Sequence, residues 1–354
     1  MILVLNTGSS SVKWAVIGPD GQESISGSIT GIGGDGVDRC GDTRASVQVT
    51  THAEAVARVL ARLVQRGINL SALSGVAHRI VHGGTQFVGP ALLDAGARDE
   101  LERLKSLAPL HLPPALAAID AIRNLSPDLR QAASFDTAFH ACQSEVATTY
   151  ALPRDLRAEG LRQFGFHGLS YAGLCDRLGA DLPRRLIAFH IGAGVSICAI
   201  LDGKSVATTM GYSPLSGPPM ATRSGDLDPL AVLDIARRHG IDGASRLLSQ
   251  QSGLLGLSGI SGDWLRLRAS DDPAARFAID VLTDRLARAA ASLIPTLGGV
   301  DAVAFTGGIG QNDAALRDAV MARLAWVGAL PVHVVPAEEE RRIALECLPL
   351  LERA

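Results

Sequence analysis

Residues 186–229 contain the side chains and turns that an anion-binding site needs. An apolar run over residues 186–189 leads into the turn HIGAGVS, and a second apolar run then reverses at Asp202-Gly203. A strand, a glycine turn and a second strand are typical of sites where backbone N–H groups meet phosphate oxygens. The long loop that follows contains Arg223, whose planar and permanently charged guanidinium suits a phosphate or a carboxylate. This stretch predicts an anion site and does not specify a reaction.

Other candidates for chemistry follow the ends of apolar segments. Arg79, in HRIVHGG, lies beside a glycine pair and is a candidate ligand for a carboxylate or phosphate. Asp136, in SFDTAFH, is a candidate for holding Mg²⁺ or for capping a helix, and both interpretations stay open. His167, in FGFHG, either stabilises charge or packs in the core. His78 and His82 have the spacing of a metal pair on a helix, but their strand context favours hydrogen-bonded structural histidines.

The elements that must position these residues contain an internal repeat. Apolar residues 2–5, the polar turn 6–11 and apolar residues 12–17 precede Asp20-Gly21. The same order of strand, glycine-containing turn, strand and Asp-Gly turn recurs at residues 186–203. The repeat predicts two related domains.

The remaining sequence predicts alternating helices and strands. Residues 27–43 are glycine-rich and predict turns with one short strand. Apolar periodicity and terminal residues predict helices over 53–66, from Pro113 or Pro114, over 229–239 and from Asp271 to about Gly298. A strand over 302–305 leads into the turn TGGIGQN and a helix over 312–324, which is a nucleotide-site pattern without a Walker A lysine. A strand over 332–335 and a helix from Glu338 end the chain.

Composition sets limits on partners and compartment. The chain has 354 residues, enough for one large domain or two, and a net charge of -3 that gives no broad basic field for nucleic acid or membrane. No apolar run approaches the roughly 20 residues that span a bilayer, and the N-terminus has no secretory pattern. The five cysteines are scattered and fit reduced thiols. We therefore expect a cytoplasmic protein without nucleic-acid or membrane partners.

Nine motifs occur in the order found in one family. NTGSSSVK, HRIVHGG, LAPLH, FDTAFH, FGFHG, HIGAGVS, SPLSG with TRSGDLDP, SGLLGLSGISGD and FTGGIGQN together resemble the acetate kinase (acetokinase) family, which belongs to the acetate and sugar kinase, heat-shock chaperone and actin superfamily. The resemblance implies an α/β fold with two duplicated actin-like (ribonuclease H-like) domains around a central nucleotide cleft. It implies an N-terminal domain of residues 1–140 plus 341–354, and a C-terminal domain of residues 141–340 with most of the nucleotide site.

The resemblance also implies an activity. It is the reversible, direct in-line transfer of the ATP γ-phosphoryl group to acetate, with Mg²⁺ or alternatively Mn²⁺. The expected partners are a small carboxylic acid and a nucleotide, and the expected assembly is a homodimer. The alternatives are a propionate or butyrate kinase, or a pyrophosphate-dependent acetate kinase. Ala193 replaces a usual asparagine and Leu265 an arginine that often covers adenine, and these two positions keep the pyrophosphate alternative open.

Roles follow from the resemblance position by position. The implied catalytic residues are Asn6, Arg79, Asp136, His167 and Arg223, and His167 and Arg223 are the implied transition-state stabilisers. The implied metal-site residues are Asn6, Asp136 and Glu339. The implied acyl-substrate residues are Arg79, Val81, Leu110, Phe166 and Pro214. The implied nucleotide-site residues are Lys13, His190, Gly192, Gly194, Asp263, Trp264, Gly308, Ile309 and Asn312.

Overall fold

In residues 1–109 and 111–352, which the computed structural model describes, the strands form two β-sheets. The first unit comprises Met1–Ala141 with the segment that begins at Glu338, and the second comprises Cys142–Ala337. Glu339 and Glu340 therefore belong to the first unit, whereas the sequence places the boundary at residue 341.

The first sheet contains eight strands. They are β1 (Ile2–Gly8), β2 (Ser11–Ile17), β3 (Glu23–Thr30), β4 (Gly34–Cys40), β5 (Thr43–Val49), β6 (Gly75–Ile80), β7 (Ala91–Leu92) and β8 (Gln131–Phe135). Their spatial order is β5-β4-β3-β2-β1-β6-β8-β7. Strand β6 runs parallel to β1 and β8 runs parallel to β6, so the carboxyl ends of these three strands lie at one edge of the sheet.

The second sheet repeats the central part of the first. It contains β9 (Arg185–Ile191), β10 (Val195–Leu201), β11 (Lys204–Thr208), β12 (Ala302–Thr306) and β13 (Val332–Val334), in the order β11-β10-β9-β12-β13. Strand β9 pairs antiparallel with β10 and parallel with β12, as β1 does with β2 and β6. The repeat predicted from the two glycine turns is present as the same strand arrangement in both units.

Helices cover these sheets and connect their strands. They are α1 (His52–Gln65), α2 (Ala95–Arg103), α3 (Leu112–Leu125), α4 (Glu145–Thr148), α5 (Arg154–Ala158), α6 (Gly168–Leu178), α7 (Pro229–Gln250), α8 (Gly253–Ser258), α9 (Trp264–Arg268), α10 (Pro273–Leu297), α11 (Gly307–Asn312), α12 (Ala314–Arg323) and α13 (Glu339–Glu352). No helix within the described residues is long and apolar enough to cross a membrane.

The two faces of the first sheet are covered by different helices. Ala133 and Phe135 of β8 pack in an apolar cluster with α2 and α3. Side chains alternate along a strand, so Ser134 points to the other face, where its hydroxyl donates to Glu346 of α13 at 2.7 Å. Helix α13 therefore covers the face opposite α3, and its first turn brings Glu339 and Glu340 to the edge where β1, β6 and β8 end.

The prediction for residues 27–43 was wrong, because strands β3 and β4 occupy most of this segment. These strands contain glycine where neighbours come close. A Cβ on Gly27 would lie 2.3 Å from the Arg39 carbonyl oxygen and 2.6 Å from the Trp14 ring. The sequence pattern missed the strands because packing of Trp14 requires a glycine there, which weakens the apolar alternation.

Two predicted helices also differ in extent. Helix α7 continues to Gln250 across a non-helical residue, Gly240, which immediately follows the predicted end at His239. The helix predicted over 312–324 is α12, which begins two residues later at Ala314 because Asp313 is extended and caps it through Leu316 N–H; the glycine turn predicted before it forms the short helix α11.

Candidate active-site residues

In the first unit, three predicted catalytic residues lie together at the ends of neighbouring parallel strands. Arg79, at the end of β6, donates from Nε to Asp136 Oδ1 at 2.9 Å and from Nη2 to Asp136 Oδ2 at 2.6 Å. It also donates from Nη1 to Asn6 Oδ1 at 3.0 Å. Asn6 is the ladder partner of Arg79 on β1. Parallel pairing of β1, β6 and β8 thus converts three distant sequence positions into one cluster.

The cluster is rich in charge and nearly closed to solvent. The Asp136 carboxylate is 2% exposed and the Arg79 side chain 19% exposed. Burial alone would lower the pKa of Arg79, but Asp136, Glu339 and Glu340 outweigh it and raise the pKa, so the guanidinium stays charged. Such an arginine remains cationic beside an anionic substrate.

The same edge offers oxygen atoms to a divalent cation. Glu339 Oε2 lies 4.0 Å from Arg79 Nε, and Glu340 Oε1 accepts from Asn6 Nδ2 at 3.1 Å. Among the described residues, no three His, Cys, Asp or Glu side chains are grouped to hold a metal ion by themselves. Mg²⁺ commonly takes only one or two carboxylates and completes its shell with substrate phosphates and water. The donor set fits that kind of site and does not form a closed cage.

In the second unit, two histidines stack where β9 ends and α6 begins. The rings of His167 and His190 lie 4.2 Å apart between centroids and are tilted by 31°. His167 Nδ1 is 2.9 Å from Ser196 Oγ, and His190 Nδ1 is 2.8 Å from Ser170 Oγ. His167 immediately precedes α6 in the left-handed conformation, with φ 59°. Non-glycine residues held in this conformation often occur at functional sites.

Arg223 approaches His167 across the glycine turn. A Cβ built on Gly194 would lie 2.9 Å from His167 Nε2 and 3.7 Å from Arg223 Nη1. The guanidinium is anchored by donation from Nη1 to the Pro214 carbonyl oxygen at 2.9 Å. Gly194 therefore brings His167 Nε2 and Arg223 Nη1 close to one position on a bare backbone, which a side chain would crowd.

A cavity of about 480 Å³ lies in the second unit beside the glycine turn. Six predicted nucleotide-site residues line it: Gly192, Asp263, Trp264, Gly308, Ile309 and Asn312. Trp264 Nε1 donates to Asp313 Oδ2 at 2.8 Å, which fixes the indole, and Asn312 Nδ2 donates to the Gly308 carbonyl at 2.8 Å. The volume lies in the range of small-molecule and cofactor pockets.

The other predicted residues have different surroundings. Lys13 lies in the first unit beside Arg39 and Glu340. Val81 and Phe166 are buried, 7% and 1% exposed, in the first and second units respectively. Leu110 lies outside the described residues.

The two histidines of HRIVHGG have structural contacts, as predicted. His78 Nε2 is 2.8 Å from Gln131 Oε1, and burial lowers the pKa of His78 to about 4. His82 Nδ1 accepts from Gly84 N–H at 2.9 Å. His78 therefore stays neutral at ordinary pH.

Sequence reasoning missed several residues that support the site. Glu340 contacts Asn6, but the run EEE does not indicate which glutamate does so. Ser196 and Tyr171 contact each other, Ser196 contacts His167, and both lie inside recognised motifs or beside them. The spacing of Tyr171 four residues after His167 is a helical signal that could have found it.

The duplicated sheets, the arginine–carboxylate cluster of the first unit and the nucleotide-sized cavity of the second are typical of one class, the two-domain kinases of the actin-like fold. Residues 1–341 match the sequence model of the Acetokinase family. The acetate kinase of Rhodopseudomonas palustris strain TIE-1 is 42% identical over 347 residues, covering 93% of this chain and 87% of the relative.

Solved structures of kinases from this family have the same fold as this chain. Porphyromonas gingivalis acetate kinase matches with a TM-score of 0.89 at 31% identity, over 99% of both chains. A propionate kinase from Francisella tularensis matches with a TM-score of 0.91 at 32% identity, over 98% of both chains. The chain belongs to the Acetokinase family, and it is a kinase. The family and the fold class predicted from the nine motifs are confirmed.

Proposed function

We propose that the protein transfers the γ-phosphoryl group of ATP reversibly to acetate, giving acetyl phosphate and ADP by direct in-line transfer with Mg²⁺. The observation that carries this proposal is the cluster of Arg79, Asp136 and Asn6 with the glutamates of α13. A buried cation meets anionic substrates there, and carboxylates beside it suit a divalent metal.

The chemistry of the reaction fits this set of residues. Acetate is ionised at neutral pH, so its oxygen needs no general base. Its approach to a phosphoryl group brings two anions together, and catalysis is then mainly positioning and charge neutralisation. Arg79 and Arg223 supply positive charge, and His167 supplies a hydrogen bond to the transferring group.

Mg²⁺ would be held by Asp136 and Glu339, with Asn6 beside them, and would neutralise charge on the nucleotide phosphates. Asn6 Oδ1 already accepts from Arg79, so Asn6 has one lone pair left for a ligand. We assign it chiefly the orientation of Arg79.

The cavity favours a nucleotide over pyrophosphate as the phosphoryl donor. Trp264 and Ile309 line it, and Leu265 on its wall is 76% exposed. An apolar cavity of this size suits a purine ring, whereas pyrophosphate has no group to occupy it. Leu265 in place of arginine changes the cover of the base from a charged group to an apolar one.

The preference for acetate over propionate depends on a small difference in binding free energy. One methylene in an apolar pocket changes discrimination by about 1–3 kcal/mol. Similarity to solved acetate and propionate kinases is nearly equal. We place acetate first because the relative from Rhodopseudomonas palustris, at 42% identity, is an acetate kinase, and propionate second.

The proposal includes a cytoplasmic homodimer. It is supported by large apolar side chains exposed on α7: Leu230 is 74%, Leu233 59% and Ile241 82% exposed. Large apolar side chains exposed along one element are a common feature of interfaces between chains. Sedimentation equilibrium should give twice the mass of the chain, and a monomer at micromolar concentration would contradict this part.

A hydroxamate assay on purified protein tests the activity. ATP and pyrophosphate are supplied separately with Mg²⁺, each with acetate, propionate or butyrate. We expect ATP-dependent acetyl hydroxamate, reduced about 10²–10³-fold in Arg223→Ala because one charged donor is lost. Arg184→Ala, which replaces an arginine just before β9 with a 71% exposed side chain, is the matched control and should keep full activity. Product with pyrophosphate alone would overturn the donor, and no product with any pair would overturn the proposed activity.

A further inference from the structure

His167 is held by its backbone and by one ring nitrogen. Its left-handed conformation precedes α6, and Tyr171 N–H donates to the His167 carbonyl at 3.1 Å. Nδ1 faces the buried Ser196 hydroxyl, while Nε2 faces the backbone of Gly194. The two ring nitrogens therefore have different tasks: one anchors the ring, and the other is presented towards the Arg223 side of the glycine turn.

Ser196 is the middle member of a buried chain of hydrogen bonds. Its Oγ lies 2.9 Å from His167 Nδ1 and 2.6 Å from the Tyr171 hydroxyl. Ser196 and Tyr171 are both fully buried. Within residues 1–109 and 111–352 the Ser196 hydroxyl has these two side-chain partners and no third. Its single proton must therefore go to one of them.

The stronger donor sets the direction of the chain. A phenol is a better proton donor than an aliphatic hydroxyl, so Tyr171 donates to Ser196 Oγ. Burial raises the pKa of Tyr171 well above its usual value, despite the hydrogen bonds that the phenol forms with Ser196 and the His190 backbone, so the phenol keeps its proton. Ser196 then has its own proton to give to His167 Nδ1.

We propose that Ser196 and Tyr171 are positioning residues that hold His167 as the neutral tautomer with its proton on Nε2. His167 then presents a fixed N–H donor beside Arg223. This inference rests on the role given to His167 in the proposed function, but the protonation state itself can be measured without turnover.

The fixed tautomer matters because an imidazole with its proton on Nδ1 would present a lone pair to the transferring phosphoryl group. A lone pair repels phosphoryl oxygens, whereas an N–H stabilises them as charge moves between acceptor and donor. A hydrogen bond that selects the tautomer at the second nitrogen is how proteins commonly fix the function of histidine. Ser196 performs this selection here, and Tyr171 orients Ser196.

Nitrogen-15 NMR of histidine-labelled protein tests the tautomer at about pH 8, where an ordinary imidazole is neutral. His167 is assigned by the resonances lost in His167→Gln. We expect Nε2 protonated and Nδ1 not protonated in the parent protein, and mixed tautomers in Ser196→Ala. Ser170→Ala, which removes the serine partner of His190, should alter the His190 resonances and leave the His167 tautomer unchanged. An Nδ1-protonated or doubly protonated His167 in the parent protein would overturn the inference.

Kinetics give a second readout that a purely structural role would not produce. Losing one oxyanion-type donor costs about 10²–10³-fold, and tautomer mixing loses only part of this, so Ser196→Ala should lower kcat about tenfold near pH 8. The loss should shrink as pH falls, because the imidazolium carries a proton on Nε2 whatever Ser196 does. KM for acetate should change little in Ser196→Ala. Ser196→Thr, which keeps a hydroxyl, should have a kcat close to that of the parent protein.

The groups near His167 include the His190 ring, Arg223, Tyr171 and, next to Tyr171, the Cys198 thiol, whose pKa burial raises. All are shared by the parent and Ser196→Ala, so the difference between their pH profiles isolates the serine. Ser205→Ala, a buried serine on β11 that contacts Gln143, is the matched control with unchanged kcat. An equal loss at every pH with an unchanged tautomer would overturn the inference, even if the kinase activity itself is established.

Discussion

At the scale of single residues, the shape of a charged group matters as much as its sign. Arg79 uses three of its donors, two on Asp136 and one on Asn6. A lysine would keep the positive charge but could not bridge both partners in one plane. The cluster thus depends on a guanidinium, and Arg79→Lys separates geometry from charge.

We expect Arg79→Lys to lower kcat/KM for acetate about 10²-fold, because a displaced cation no longer fits the transferring group. The measurement is steady-state kinetics of acyl phosphate formation. Arg185→Lys is the matched control: Arg185 also pairs with an aspartate, Asp301, but on the surface of the second unit. The Arg185→Lys substitution should cost little stability, because the ion pair is on the surface, and no activity. Equal activity in Arg79→Lys and the parent protein would show that the planar guanidinium of Arg79 is not required.

A second prediction at this scale concerns the pH dependence of stability. His78 has a pKa of about 4 in the folded chain because it is buried, against 6.5 for an unperturbed histidine. Between these pH values the unfolded chain binds a proton that the folded chain excludes, so the free energy of unfolding falls as pH drops from about 6.5 to 4. The full effect of this group is about 3 kcal/mol.

Urea denaturation of the parent protein and His78→Gln at several pH values measures this contribution. Glutamine does not titrate and can still donate to Gln131, the present partner of His78. The variant should lose less stability than the parent protein on acidification. Parallel curves between pH 6.5 and 4 would show that His78 is not responsible.

At the scale of elements, one short helix fixes the backbone of the Arg223 loop. Gly253, at the start of α8, has φ +60°, and a Cβ there would lie 2.1 Å from the Met220 carbonyl oxygen and 2.6 Å from the Arg223 carbonyl oxygen. Gly259, just after α8, has nearly the same φ of +65°, but a Cβ there would meet nothing within 4 Å. The two glycines therefore have the same left-handed backbone conformation but differ in the space around them.

This pair gives a controlled experiment. Gly253→Ala should displace the Arg223 backbone and lower kcat by about 10²-fold, because small misplacement of a charged group is costly in catalysis. Gly259→Ala should cost only the left-handed strain of about 1–2 kcal/mol in stability and keep kcat. Steady-state kinetics and thermal unfolding of both variants separate the two effects. Equal kcat values for the two variants would show that α8 does not determine the position of the Arg223 backbone.

The elements also show what sequence could and could not predict. Polar positions at the ends of β1, β6 and β8 were identified individually, since each follows an apolar run and precedes a turn. Their meeting depends on parallel pairing between strands about 70 residues apart, as Asn6 with Arg79, and the resemblance supplied this where periodicity could not. Supporting contacts such as Ser196 with Tyr171 and Asn6 with Glu340 were missed, because small polar residues and glutamate runs have no distinctive spacing.

At the scale of the whole molecule, the two units repeat one sheet but use it differently. In the first unit, Asn6 on β1 is the ladder partner of Arg79 on β6. The charged side chains of Arg79 and Asp136 lie at this edge of the sheet. In the second, β9 pairs His190 with Ser196 on β10 and with Thr306 on β12, and this edge carries histidine and hydroxyl side chains. The first unit thus groups Arg79 with carboxylates, whereas the second combines Arg223 and His167 with the cavity that we propose for the nucleoside.

This division predicts where ADP protects the backbone. The cavity is lined by second-unit residues, including Gly192, Trp264 and Asn312, so bound ADP should slow amide hydrogen exchange chiefly in peptides that contain residues 192–194, 262–265 and 308–313. At 100 times its Kd, ADP stabilises the form that binds it by about 2.7 kcal/mol. Mass spectrometry with and without ADP measures the amide hydrogen-exchange rate of each peptide.

Trp264→Ala supplies the test of cause, because the indole forms part of the cavity wall and is fixed by Asp313. It should abolish the ADP-dependent protection of residues 308–313, whereas Trp326→Ala, which removes a tryptophan with 69% exposure in the same unit, should leave it intact. Peptides from β3 to β5 of the first unit should exchange at the same rate in every sample. If ADP protected those strands as strongly as residues 262–265, nucleoside binding could not be assigned to the second unit.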